Sequence, residues 1–229
     1  MKVTVEDGTF ASFVARPAVA RASGGSVVVL HESSGLNDDI RSKCEAVAAC
    51  GFLAIAPNLF WREELGIDTL AKPERENRSG TDHSVAFDHD RGVNDIAAVV
   101  RAVRETTNAS ARIGVMGFGL GGLLAYLAAA RLPIDAAVVF YGPRIERHLA
   151  EVIRISIPLM MHVGSEDALV TPAALVAIEH ALSHNANAQI LRYPASGHAF
   201  ARQAGAHYNA EAADLALNRT TAFLKLHLA

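Results

Sequence analysis

Apolar residues along the chain follow two rhythms. Near the N-terminus "KVTV" and "TFASFVA" alternate apolar and polar positions on either side of Asp7-Gly8, which predicts a hairpin. Further on, the apolar positions come in short unbroken runs rich in β-branched residues: "SVVVL", "FLAIAP", "ARIGVMGF", "DAAVVFYG", "PLMMHVG" and "AQILRYP". Runs of this length with no polar side predict strands buried on both faces. Between them the period changes. Val93, Ile96, Val99, Val100 and Val103 recur at helical spacing. Helices are also predicted from about Asp38 to Cys50, stopped by Gly51, and over "GGLLAYLAAAR", "TPAALVAIEHALSH" and "AEAADLALNRTTAFLKLHL".

Strands that alternate with helices make a mostly parallel sheet covered on both faces, an α/β fold. Residues 1–229 form a single predicted domain, with no repeat, linker or low-complexity tract. Only Leu59 to Asp82 lacks periodicity. It carries Gly66, Pro73 and Gly80 and is expected to be an excursion over the sheet edge, a usual place for substrate contacts.

Composition narrows the partners. The chain is 51% hydrophobic, enough for one sizeable core at 229 residues. A net charge of −3 without a long basic run argues against nucleic acid or an anionic membrane surface. No apolar run approaches the ~18 residues of a membrane span. The first ten residues are too polar for a secretory leader, so a cytoplasmic location is expected. Cys44 and Cys50 fall on different faces of one predicted helix, away from disulfide geometry.

In such a sheet, ligands sit beyond the carboxyl ends of the strands. Four predicted strand ends carry polar residues: "HESSG", "GFGLGG", "SEDALVTP" and "SGHAFAR". The last three supply a sharp strand-to-helix turn, an acid and a histidine in that order, the order of an α/β-hydrolase triad. His198 can exchange protons near neutral pH, and Asp167 can hold its imidazole in one tautomer. At the centre of the turn, where an attacking side chain is expected, stands Gly119.

The residues at these four loops resemble those of the dienelactone hydrolase family (carboxymethylenebutenolidases), and the resemblance runs along nearly the whole chain. "GFGLGG" is similar to that family's G-x-C-x-G-G turn everywhere except the cysteine, and "LHESSGLN", "GSEDALVTP" and "SGHAFAR" resemble its remaining site segments. The resemblance implies the α/β-hydrolase fold and hydrolysis of a small ester or lactone, a small-molecule substrate expected to carry a carboxylate. It places catalytic roles at Glu32, Asp167 and His198, with Gly119 at the nucleophile position. Backbone N–H groups of Leu120 and Ser33 would form the oxyanion hole, and Arg202 would hold the substrate carboxylate. The family's second carboxylate-binding arginine falls in "ERENRSG", where Asn77 takes the position and Arg78 and Arg75 lie beside it, Arg78 being the candidate.

No cofactor or metal is implied. His83 and His89 lack the i, i+4 spacing of a helical zinc pair. His31 and His162, at strand ends, are expected to border the pocket. His148, His180, His184, His207 and His227 are expected to be solvated.

Three readings of Gly119 stand side by side. The natural chain carries Cys or Ser and has been disabled by substitution. Water takes the place of the missing side chain, with His198 or Glu32 as general base. Or the chain is a non-catalytic carboxylate-binding protein on a hydrolase scaffold. A covalent acyl-enzyme through residue 119 is excluded in all three, because glycine has no attacking atom.

Overall fold

The unbroken apolar runs become the interior of one eight-stranded sheet. The computed structural model describes residues 1–18, 24–63, 87–107 and 111–229. Its strands are β1 (Lys2–Val5), β2 (Gly8–Ala15), β3 (Ser26–Leu30), β4 (Leu53–Pro57), β5 (Ile113–Phe118), β6 (Ala136–Phe140), β7 (Leu159–Gly164) and β8 (Ala188–Tyr193). They lie in the spatial order β1-β2-β4-β3-β5-β6-β7-β8. The N-terminal hairpin pairs antiparallel with Val5 opposite Gly8, and β2 adds antiparallel to β4. From β4 to β8 every pairing is parallel.

Alternation along each strand sends side chains to two separate cores. Val27, Val29, Met116, Phe118, Val138 and Phe140 pack under α1 (Asp38–Ala49) and under the C-terminal helix α5 (Ala210–Leu228). Val28, Leu30, Val115, Val139 and Met161 pack on the other face, under α2 (His89–Thr106), α3 (Leu120–Arg131) and α4 (Pro172–Leu182). With both faces covered, the strands need no polar side, which is why they are continuous apolar runs. The chain leaves β3 for one neighbour, β4, and later returns to its other neighbour, β5. Strand order thus reverses around β3, and the crevice beyond the carboxyl ends of β3 and β5 is where such sheets hold ligands.

Helix starts follow the sequence. Asn37, Asp88, Thr171 and Asn209 cap α1, α2, α4 and α5 by accepting from the first free N–H groups. Helix α3 starts differently. Its N-cap is Gly119, which has no side chain to offer, so the first N–H groups of this helix are left for something else.

The start of the 59–82 excursion is anchored. Trp61 Nε1 and Arg62 Nη1 both donate to the buried Asp95, and Arg62 also bonds Asp7 in the hairpin turn. Beyond Glu63 the excursion lies outside the described residues up to residue 86, and with it Arg75, Asn77, Arg78 and His83.

Candidate active site

Four glycines build the turn after β5, for two different reasons. A Cβ on Gly117 would sit 1.9 Å from the Gly121 carbonyl oxygen, and one on Gly122 would sit 2.6 Å from that of Phe140. A Cβ on Gly121 would meet the Leu30 oxygen at 2.4 Å. These three positions admit no side chain, because strand and helix backbones close on each other there. Gly119 is different. A Cβ built on it meets nothing nearer than Glu32 Cγ at 3.6 Å, with His198 Nε2 at 3.9 Å. Its backbone sits at φ 52, ψ −115, an angle that glycine adopts with least strain. The position has room for a side chain, and that side chain would lie between a carboxyl and an imidazole.

The imidazole is held from behind. His198 Nδ1 lies 3.0 Å from Asp167 Oδ2 and 3.2 Å from Oδ1. Asp167 Oδ1 also accepts from the backbone N–H groups of Leu169 and Val170, so the acid is fixed by its own loop before it meets the histidine. Burial pushes the Asp167 carboxyl up, but the His198 bond and charge and the two backbone donors outweigh it, and the net direction is down. An ionised Asp167 accepts a hydrogen bond from Nδ1–H, which leaves Nε2 unprotonated and facing residue 119.

Glu32 follows β3 and is 7% exposed. Its Oε1 accepts from the Tyr141 hydroxyl at 2.9 Å. Burial drives the Glu32 carboxyl above its ordinary range, opposed by that bond and by the charges of Arg202, Lys43 and His198. Tyr141 was not among the residues singled out from the sequence. It is fully buried, directly follows β6 and has φ 39, in the left-handed region that non-glycine residues avoid. Its N–H donates to the His162 carbonyl, so sheet pairing fixes its backbone while its ring stands edge-on to His198, centroids 5.3 Å apart. The only signal in the sequence was an aromatic residue at a strand's carboxyl end.

The predicted oxyanion donors lie on facing loops. Leu120 opens α3, where no helical acceptor exists for its N–H, and Ser33 follows Glu32 in the turn after β3. Gly121 N–H donates to the His31 carbonyl at 3.1 Å and stitches the two loops together. Arg202 is half-buried four residues beyond His198. Its Nε is buried and has no hydrogen-bond partner among the described residues, while its charge reaches Glu32. Glu32, Gly119, Asp167 and His198 are thus brought together, with Arg202 close enough to act on Glu32. Arg78 falls outside the described residues.

Two histidine expectations need correction. His31 is fully buried. Its Nδ1 lies 2.7 Å from the Glu32 carbonyl, and its Nε2 accepts from Leu59 N–H, so it clamps the Glu32 turn to the start of the 59–63 segment. His162 lies within β7 on the α5 side, between the Tyr193 hydroxyl at 2.7 Å and Thr220 at 3.0 Å, its ring tilted 31° against Phe140. His162 faces core because strand alternation, and not nearness to a strand's end, decides the side it takes, whereas His31, one residue past β3, is held inward by its two hydrogen bonds. His148 and His227 are half-buried against His89 and Phe223 rather than fully solvated. Among the described residues no group of three or more His, Cys, Asp or Glu could hold a metal ion, and no helix is long and apolar enough to cross a membrane.

The chain is similar to known proteins along nearly its whole length. A protein of Azospirillum brasilense assigned as a carboxymethylenebutenolidase is 37% identical over 224 residues, 97% of this chain and 96% of that one. A carboxymethylenebutenolidase of Pseudomonas putida is 32% identical over 216 residues, covering 94% of this chain and 91% of its own length. A crystal structure assigned as a dienelactone hydrolase, from Klebsiella pneumoniae subsp. pneumoniae MGH 78578, superposes with a TM-score of 0.87 at 25% identity, over 99% of this chain and 97% of that one. The profile of the dienelactone hydrolase family matches residues 10–228, from within β2 to the end of α5. With the eight-stranded, mostly parallel sheet of the α/β-hydrolase fold, these matches establish that the chain is a member of the dienelactone hydrolase family of hydrolases.

Proposed function

We propose that this chain hydrolyses a small carboxylate-bearing ester or lactone by direct attack of water, with His198 as general base and no covalent intermediate. The observation that carries this reading is the placement of His198 Nε2 at 3.9 Å from where a side chain on residue 119 would begin, with Nδ1 bonded to Asp167. A water bound beside the Gly119 Cα would occupy the position of the attacking atom. His198 Nε2 would take its proton as the oxygen adds to the carbonyl carbon, and Asp167 would stabilise the imidazolium. Glu32 Oε1 is committed to Tyr141, which leaves Oε2 to orient that water. The tetrahedral oxyanion would be received by the N–H groups of Leu120 and Ser33. On collapse, the carbonyl–oxygen bond to the leaving group breaks and His198 returns the proton to the departing alkoxide.

The substrate class rests on Arg202 and on the relatives. A guanidinium whose buried Nε has no partner among the described residues suits a planar carboxylate. The name of the Pseudomonas putida relative describes a lactone that bears a carboxymethylene group. The single-domain organisation over 1–229 and a cytoplasmic setting are part of the same proposal.

The rate expected is modest. Hydrolases stripped of their nucleophile keep about 10³–10⁴-fold acceleration over water from the oxyanion hole and binding. The test compares two p-nitrophenyl esters, one ending in a carboxylate and one neutral, across wild type, His198→Ala and Arg202→Ala. His198→Ala is expected to abolish the enzymatic rate on both esters. Arg202→Ala is expected to raise KM for the acidic ester alone. Equal background rates in wild type and His198→Ala would overturn catalysis and leave the binding-protein reading.

A further inference from the structure

Lys43 and Asp39 stand one turn apart on α1, and both side chains are at least nine-tenths buried. An exposed i, i+4 pair contributes a few tenths of a kcal/mol to a helix, whereas a buried one must first overcome the desolvation of both ions. Helix stability alone therefore does not account for this pair. Its contacts do. One oxygen of Asp39 takes the Lys43 ammonium, and the other accepts the backbone N–H of Gln203 at 3.2 Å. Gln203 directly follows Arg202, so Asp39 ties the arginine's backbone to α1. Lys43 Nζ lies 4.9 Å from the centroid of the Phe118 ring, and Phe118 directly precedes Gly119. Phe118 in turn stacks on Phe140, the residue before Tyr141, at 4.6 Å.

We propose that the buried Asp39–Lys43 pair is a positioning device for the active site: it pins the Arg202 loop to α1 and holds a cation behind the turn that carries Gly119, where it balances the Glu32 carboxyl. The charged and titratable groups acting on Glu32 come from three directions. Tyr141 stands at the end of β6, His198 and Arg202 in the segment after β8, and Lys43 on α1. Lys43 is the one among them that stands on α1, with its ammonium over the Phe118 ring. This inference rests on the proposed function only in taking Glu32 and Arg202 as site residues.

The test needs no turnover. The Glu32 carboxyl is titrated by carbon NMR, assigned with Glu32→Gln, and amide exchange is followed at Gln203. Lys43→Met is expected to raise the Glu32 midpoint by at least ~0.5 pH unit, since it removes an opposing charge, and Lys43→Arg to restore it. Asp39→Ala is expected to lower the midpoint, because the ammonium is then unneutralised, and to speed Gln203 exchange by about tenfold or more. Should Lys43→Met fail to fold, Lys43→Gln carries the same expectation. A merely structural pair would leave the Glu32 midpoint where it is in every folded variant. An unchanged midpoint in the Lys43 variants, or a Gln203 amide equally protected without Asp39, would overturn the proposal. Loss of the His198-dependent rate effect would instead sink the water mechanism and leave these two readouts standing.

Discussion

The Tyr141 hydroxyl donates to Glu32 Oε1 at 2.9 Å, across 109 positions of sequence and between two fully or nearly buried side chains. A buried carboxyl that loses its donor keeps its desolvation penalty, so Tyr141→Phe is expected to cost about 1–3 kcal/mol of stability. The bond opposes the upward drive that burial exerts on Glu32. Removing it is therefore expected to move the Glu32 titration further up and, with it, the acidic limb of the hydrolysis profile. Denaturant melts and a pH–rate profile of the two proteins check both effects. An acidic limb that stays in place would mean that Glu32 has no part in turnover.

The glycines of the turn are expected to separate cleanly on substitution. Gly119→Ala places its Cβ in ordinary van der Waals contact with Glu32 and His198 and meets only the backbone strain of φ 52, about 1–3 kcal/mol. Gly117→Ala and Gly122→Ala drive a methyl into backbone oxygens and are expected to lose about 3 kcal/mol or more, or not to fold. Gly119→Cys puts a thiol between Glu32 and His198. A large gain in turnover and an acyl-enzyme detectable by mass spectrometry are expected, and absence of both would mean that Glu32, Asp167 and His198 are out of working geometry.

Asp167→Asn makes a sharper test of the histidine's role. The backbone donors of Leu169 and Val170 hold Oδ1, which directs the new amide NH₂ toward His198 Nδ1. Nδ1 must then accept, which puts the ring proton on Nε2 and removes the base that faces residue 119. Loss of on the order of 10²–10⁴-fold in hydrolysis is expected, with folding largely intact. A rate equal to wild type would show that no proton passes through Nε2.

Two buried histidines predict how the fold responds to acid. Burial holds His31 down to about 4 and His162 down to about 3, so both are neutral in the native protein. Once unfolded, each takes up a proton near pH ~6.5, so the unfolded state binds more protons than the native one below that pH. Stability is therefore fully present above about pH 6.5 and falls as pH drops toward the two folded values, by about 1.4 kcal/mol per pH unit for each histidine. Urea melts between pH 7.5 and 5 are expected to show this slope. His162→Gln, which keeps a polar group between Tyr193 and Thr220, is expected to remove about half of it.

Much of the site could be read from the sequence, for a local reason. Glu32, Gly119, Asp167 and His198 each follow an apolar strand within a few residues, and a parallel sheet gathers strand ends at one edge. Asp167 is fixed by its own loop and Gly119 by its own turn, so their geometry is written within a few neighbouring residues. Tyr141, the Asp39–Lys43 pair and the clamp made by His31 were not legible in the same way. Each acts on a partner from another element, and no periodicity or spacing announces it. His31 and His162 were misplaced because closeness to a strand's end says nothing about which face a side chain takes.

By itself the sequence determined the strand and helix order and the loss of a covalent route at residue 119. These follow from local periodicity and from the chemistry of single residues. Only the tertiary structure decided that the space left by the missing side chain adjoins an oriented imidazole and a tyrosine-bound carboxyl. Those relationships arise when five parallel strands bring distant loops to a single edge, where burial and non-local hydrogen bonds determine what each group can do.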